Sequence, residues 1–224
     1  MTPERFEKFK RVLARRQPDL TLLAENVHKS HNISALLRTA DAVGLHSIHA
    51  VSPGGEIPRH HVVSGGTKKW IGVRVHKTID EAVSRLKESG HVILAAHIST
   101  SARDYRTPDY TRPTAVLLGA ELDGVTQRAA ELADEHVAVP MEGHVASLNV
   151  SVASALILYE ARRQRDVAGM YDSGPHLADE EFRRVLFEWC YPEIARKCQD
   201  GGLAYPELSD DGTLLSNPFS VRRA

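Results

Sequence analysis

Hydrophobic positions along the chain change period repeatedly, and the changes mark out the elements. Phe6, Phe9 and Leu13 recur at helical spacing within residues 3–16, while Lys8, Arg11 and Arg15 recur on another face, so an amphipathic helix is predicted there, ended by Pro18. Apolar runs at 20–27, 46–52, 91–97 and 114–118 read as buried strands, with shorter strands at 73–76 and 136–140. Ile33, Leu36, Leu37 and Ala40 form one face of a helix over 33–43 that stops at Gly44. Further helices are predicted over 78–88, with Thr78 as cap and Gly90 as stop, over 127–133, and over 147–165. Strands alternating with helices predict an α/β fold, a mostly parallel sheet flanked by helices.

Two stretches break the alternation. Residues 53–70 are polar and glycine-rich, and read as a long loop with room for a short helix. Beyond Gly169 one more helical segment is predicted over 179–198, interrupted near Pro192. Residues 199–224, rich in Gly, Pro, Asp and Ser, read as a loosely held tail. The expected organisation is a basic helix over 1–17, a main domain over 18–168, and a helical extension with its tail over 169–224.

Composition narrows the class. With 224 residues, 42% of them hydrophobic and 25% charged, the chain can bury a substantial core. No apolar run approaches the roughly 20 residues needed to span a bilayer, and the charged N-terminus has no apolar leader segment, so a cytoplasmic protein is expected. Cys190 and Cys198, the only cysteines, suggest neither a disulfide framework nor a CxxC site. The net charge of −1 argues against polyanion binding by overall charge. Locally the first 16 residues hold six bases against two acids, a net of +4, and Arg162, Arg163 and Arg165 close the long helix. Each cluster is either a solvated face or a set of phosphate contacts. At a helix C-terminus, arginines also favour the dipole.

Three turns lie after strands: His28–Asn32, Gly119–Gly124, and the stretch around Gly143 that enters the long helix through Ser147, Asn149 and Ser151. In an open parallel sheet ligands bind beyond the carboxyl ends of the strands, so all three are candidates for one pocket. No GxGxxG follows the first strand and no Walker A loop is present. The His60-His61 pair, and His28 with His31, lack any HExxH or Cys/His spacing, so no metal is expected.

Taken in order, ENVHKSHNISALLRTADAVG, AVLLGAELDGVT and VPMEGHVASLNVSVASALILYEARRQR resemble the SPOUT superfamily of RNA methyltransferases, in particular the TrmH type that methylates a tRNA ribose 2′-hydroxyl. The resemblance spans roughly residues 10–172, and VLFEWCYPEIARKCQDGGLAYP is similar to the extension of longer bacterial members. It implies a C-terminal deep trefoil knot, S-adenosylmethionine as cofactor, tRNA as substrate and a homodimer. It maps the family's functional side chains onto Asn32, Arg38, Glu121, Ser147 and Asn149, and the cofactor contacts onto Ala96, His97, Gly119, Val139 and Leu148. RNA would then meet Lys8, Arg11, Arg15, Arg16, His31, Arg163 and Arg165.

Several of these residues admit a second reading. Asn32 is equally a helix N-cap. Glu121 either stabilises its loop or acts in the site. Arg38, beside Leu36 and Leu37, is expected to be at least half-buried and to need an anionic partner, either a substrate phosphate or an acid of the partner subunit. Asn32 and Arg38 do not share a helical face, so they meet only if Asn32 lies outside the regular helix. Methylating a hydroxyl requires an in-line approach, removal of its proton and stabilisation of the developing oxyanion. A guanidinium keeps its proton, with a pKa above about 12, so Arg38 is read as a phosphate clamp and oxyanion stabiliser, with His31 as an alternative base. Two departures from the family pattern are Ser30, where proline is common, and Glu142 and His144 flanking Gly143. The competing classes are a ribosomal RNA methyltransferase of the same family and a non-catalytic RNA-binding module. The short basic helix, in place of a separate RNA-binding domain, favours tRNA, with guanosine 18 of the D-loop as the implied target.

Overall fold

The structure, a computed structural model, describes residues 1–54, 69–121, 123–216 and 219. Most of the loop predicted over 53–70, His60 and His61 among it, lies outside the described residues. The chain divides into two compact units, 17–172 and a second made of 1–16 with 173–224.

The larger unit is built on seven parallel strands in the order β3-β2-β1-β6-β4-β7-β5. They are β1 (Leu20–Glu25), β2 (Ser47–Val51), β3 (Gly72–His76), β4 (Val92–Ala96), β5 (Arg103–Asp104), β6 (Thr114–Leu118) and β7 (Glu135–Ala138). All but β5 are predicted by pattern. Two residues show no periodicity, and β5 exists because Arg103 and Asp104 pair with Val137 and Ala138. The helices of this unit are α2 (Ser30–Ala42), α3 (Ile79–Glu88), α4 (Gln127–Leu132) and α5 (Val150–Val167). Side chains alternate along the strands as the pleat requires. Leu20, Leu22, Val116 and Leu118 join one core layer with α2 and α5, while Leu23, Ala115 and Leu117 join the other with α3 and α4.

The smaller unit joins α1 (Pro3–Ala14) to α6 (Asp179–Cys190) and α7 (Pro192–Asp200), with the predicted break between α6 and α7 at Tyr191. Phe6, Phe9 and Leu13 are buried as their spacing predicts, and Phe9 packs edge-on to Trp189 with ring centroids 6.0 Å apart. The tail is not loose over its described part. Tyr205 stacks on Phe187 at 4.7 Å, Tyr191 Oη donates to the Gly212 carbonyl at 2.8 Å, and a Cβ on Gly212 would lie 2.5 Å from the Phe6 ring. Apolar residues spaced too irregularly to show a period still bury aromatic surface once folded back.

Two arginines assigned to RNA are instead interior. Arg165 is 0% exposed. Its Nε donates to the Tyr110 carbonyl at 2.8 Å, Nη1 to Asp19 at 2.5 Å and Gln17 at 3.0 Å, and Nη2 to the Arg112 carbonyl at 3.1 Å. It therefore welds α5 to the start of β1 and to the 108–112 segment. Arg16 is 1% exposed, its guanidinium 5.4 Å from the Trp189 ring centroid. Charge at helical spacing does not distinguish a solvated arginine from one such as Arg165, whose five donors are satisfied indoors. Arg163 is exposed and paired with Glu160.

His49 and His76 form a second buried polar pair, with Nδ1 and Nε2 2.9 Å apart and rings stacked at 5.0 Å. They share one N–H. Burial first, then His76 and Arg74, lowers the His49 pKa from 6.5 to about 3. Burial also lowers that of His76, against the opposing pull of Glu81.

Two outcomes are expected. Arg165→Ala strands Asp19, Gln17 and the carbonyls it served, so urea denaturation should show a loss of about 3 kcal/mol. For the histidines, the folded pKa lies below the unfolded one, so the unfolded chain takes up protons first as pH falls. For His49 that stabilisation is complete above 6.5 and is lost progressively towards 3, at up to about 1.4 kcal/mol per pH unit, and His76 acts in the same direction. Denaturation midpoints measured between those limits should fall with pH, and less steeply in His49→Gln.

Candidate active site

Strand order creates the site. After β3 the chain crosses to β4, leaving a gap that β6 later fills, with β1 on one side and β4 on the other. The carboxyl ends of β1, β6, β4 and β7 thus lie side by side, and the turns that leave them converge.

A pocket of about 300 Å³ opens beyond β4, β6 and β7 and is closed by the entrance of α5. Ala96, His97, Gly119, Val139 and Leu148 all line it, as do Glu121 and Ser147. Ile98 and Met141 line it too, and no sequence feature singled these out. Its far wall is Val150, Ala153 and Ile157 of α5. Glu142 and His144 are exposed and do not join the lining.

The Gly119–Val125 wall is a closed hairpin. Ala120 and Gly124 exchange two backbone hydrogen bonds, each 2.9 Å. A Cβ on Gly119 would fall 2.0 Å from the Gly124 backbone, so only glycine permits this closure. Behind His97, which lines the pocket, lies His136. Its Nε2 faces the Ala130 carbonyl at 3.0 Å and therefore carries the proton, which leaves Nδ1 to accept from Ser99 Oγ at 2.9 Å. The His97 ring sits edge-on to it at 5.3 Å.

Three motif residues meet in one polar cluster beside the pocket. Asn32 Nδ2 donates to Glu121 Oε2 at 3.4 Å, and Asn149 Nδ2 donates to Glu121 Oε1 at 3.2 Å and to Asn32 Oδ1 at 3.3 Å. Lys29 forms an ion pair with Glu121. The Lys29 ammonium, with the two amides, holds the Glu121 carboxyl below the usual range, so it stays an acceptor at neutral pH and is a poor proton donor or base. Lys29 passed unremarked in the sequence because a lysine in a polar turn carries no signal of its own.

The structure corrects three expectations here. Asn32 is not an N-cap. The helix begins at Ser30 with Lys29 at the cap position, and Asn32, 2% exposed, turns its amide to Glu121. The long helix starts at Val150 rather than 147, because Asn149 caps it by accepting from the Ser151 N–H at 2.9 Å. Ser147 and Leu148 therefore stay in the loop, along the pocket. Arg38 is exposed, not half-buried, and makes no hydrogen bond or ion pair with any described residue. Ile33, Leu36, Leu37 and Ala40 take the inward face of α2, and Arg38 falls outside it and outside the pocket lining. His31 is likewise exposed at the start of α2.

Among the described residues no helix is long and apolar enough to cross a membrane, and no group of three or more His, Cys, Asp or Glu side chains is placed to hold a metal.

Residues 19–159 match the SpoU rRNA Methylase family, and residues 163–217 match the family described as SpoU, rRNA methylase, C-terminal. The chain is 50% identical over 215 residues to the tRNA (guanosine(18)-2'-O)-methyltransferase of Escherichia coli (strain K12), which covers 96% of this chain and 94% of that protein. Among solved structures, the Aquifex aeolicus TrmH/SpoU tRNA modifying enzyme superposes with a TM-score of 0.77 at 38% identity, covering 85% of this chain and 97% of the other. The SpoU methyltransferase AviRb from Streptomyces viridochromogenes, solved in complex with its cofactor AdoMet, superposes with a TM-score of 0.61 at 27% identity, over 67% of this chain and 59% of the other. The matched family models, the sequence identity and the superposed fold agree, and the chain belongs to the SpoU rRNA methylase family.

Proposed function

We propose that the chain transfers a methyl group from S-adenosylmethionine to the ribose 2′-hydroxyl of guanosine 18 in tRNA. The observation that carries this reading is the meeting of Asn32, Glu121 and Asn149, drawn from three distant segments, beside a pocket of about 300 Å³. The activity of the Escherichia coli relative, half identical over almost the whole chain, supports the tRNA nucleoside over a ribosomal one.

The pocket suits this cofactor. Apolar Val139, Leu148 and Ile157 offer surfaces for a flat ring, and Gly119 lets backbone approach where a Cβ would not fit. When bound, S-adenosylmethionine supplies an electrophilic methyl on its sulfonium. The chain's side chains do the rest. Glu121, kept anionic, fixes the amides of Asn32 and Asn149. Arg38, a free cation on α2, clamps an RNA phosphate and stabilises the forming oxyanion. The hydroxyl proton leaves to that phosphate or to water, with His31 as the alternative acceptor. Exposed Lys8 and Arg11 on α1, Arg15 at its C-terminal cap, and Arg163 on α5 supply phosphate contacts.

The same reading includes the deep trefoil knot of the family, a cytoplasmic setting and a homodimer. Val152, Leu156 and Tyr159 lie at helical spacing on α5 and are 48%, 38% and 52% exposed, an apolar face that a second copy would cover.

Incubating the chain with methyl-labelled S-adenosylmethionine and a tRNA transcript, then mapping the label by nuclease digestion, should place it on the ribose of guanosine 18. Label on a base, or none, overturns the proposal. Arg38→Ala should cut turnover at saturating tRNA at least about a hundredfold with cofactor affinity unchanged. Replacing Lys8, Arg11 and Arg15 together by alanine leaves Phe6, Phe9 and Leu13 in place. It should weaken tRNA binding and flatten its log–log salt dependence by roughly one for each phosphate that is no longer neutralised.

A further inference from the structure

The turn between β1 and α2 grips both shoulders of the Gly119–Val125 hairpin, and the motif residues account for only part of that grip. Glu25, the last residue of β1, is 3% exposed. Both its oxygens go to Thr126: Oε2 accepts from the backbone N–H at 3.0 Å and Oε1 from Oγ at 2.8 Å. Thr126 already caps α4 by accepting from the Ala129 N–H at 3.1 Å, so the cap does not require Glu25. Among the described residues no cation pairs with this carboxylate. A charge buried without a counter-ion survives only on its hydrogen bonds and the local dipole, so its position is tightly determined. The other shoulder is Glu121, held by Lys29. Between Glu25 and Lys29 the chain turns at Asn26, whose φ is 54°, a conformation asparagine tolerates better than most residues.

We infer that Glu25 and Lys29 are positioning residues that set cofactor affinity by holding the two ends of the hairpin wall from the first motif. The inference rests on the reading of the pocket as the S-adenosylmethionine site. Because the hairpin is closed by its own backbone pair and admits no Cβ at Gly119, releasing either end displaces the wall as a unit. The pocket then loses its shape while the sheet behind it stays intact.

The test is calorimetric titration of S-adenosylmethionine into the full-length protein, with tRNA affinity and melting temperature measured alongside. Glu25→Gln leaves one acceptor oxygen for the two Thr126 donors and should weaken cofactor binding about tenfold, about 1.4 kcal/mol, with tRNA affinity unchanged. Lys29→Met, on a side chain 53% exposed and so tolerant of substitution, should weaken it about threefold. Leu13→Ala, a fully buried position of α1 in the smaller unit, serves as a control that lowers the melting temperature but keeps the cofactor Kd within about twofold of wild type. Wild-type cofactor Kd in both Lys29→Met and Glu25→Gln overturns the inference, whatever happens to melting. If Glu25→Gln does not fold, Lys29→Met decides. Failure of the wild-type chain to bind overturns the underlying reading and this inference together.

Discussion

The site depends on a strand of five residues, Thr114–Leu118, arriving late in the chain and filling the gap between β1 and β4. All five are buried, and hydrogen-bonded neighbours flank the strand on both sides. A parallel strand so enclosed has no freedom of register, since a slip by one residue would exchange the side chains of the two core layers. Its register against β1 and β4 therefore sets where Gly119 begins, and the hairpin that follows can close only because Gly119 lacks a side chain. The pocket residues that follow β4 and β7 come from strands one and two places away, already aligned by the same ladder, and the entrance of α5 closes the remaining side.

Onto that frame the polar cluster adds specificity of orientation. Glu121 is the hub, surrounded by one cation and two amides. A carboxylate so supplied with donors is fixed in direction and in charge, and so are the amides bonded to it. Asn149 has a double role, since its carbonyl oxygen caps α5 while its amide nitrogen points back to the cluster. The start of α5 and the acidic hairpin are thereby coupled. An arrangement of this kind is preorganised, which is what acceleration by positioning requires.

The arginines show how differently one residue type is used. Arg165 is consumed by structure, joining α5, β1 and the 108–112 segment through five hydrogen bonds. Arg163 is exposed but engaged with Glu160. Arg38 is exposed and free of described partners, so it can meet an anion without first breaking an internal bond. For a phosphate ligand that difference matters more than the number of positive charges nearby, because a buried arginine such as Arg165 cannot exchange its protein acceptors, whereas Arg163, 63% exposed, can share its charge between Glu160 and a phosphate.

By itself the sequence determined what depends on nearest neighbours along the chain. Apolar periodicity placed every helix and all strands but β5 within a few residues, because amphipathic spacing is local. Gly44 and Gly90 are read correctly as stops because only a residue without Cβ takes their positive φ easily. Resemblance to a known family marked out Asn32, Glu121 and Asn149 together. Tertiary structure decided the rest. That Arg16 and Arg165 are interior while Arg38 is exposed depends on acceptors up to 148 residues away in sequence, which no local pattern encodes. That Asn32 bonds Glu121 instead of capping its helix, and that the described tail folds onto Phe6 and Phe187, depend on strand order and on apolar surface presented by other segments. Long-range pairing is chosen by the burial of the whole chain, and a one-dimensional pattern records only which residues are available for it.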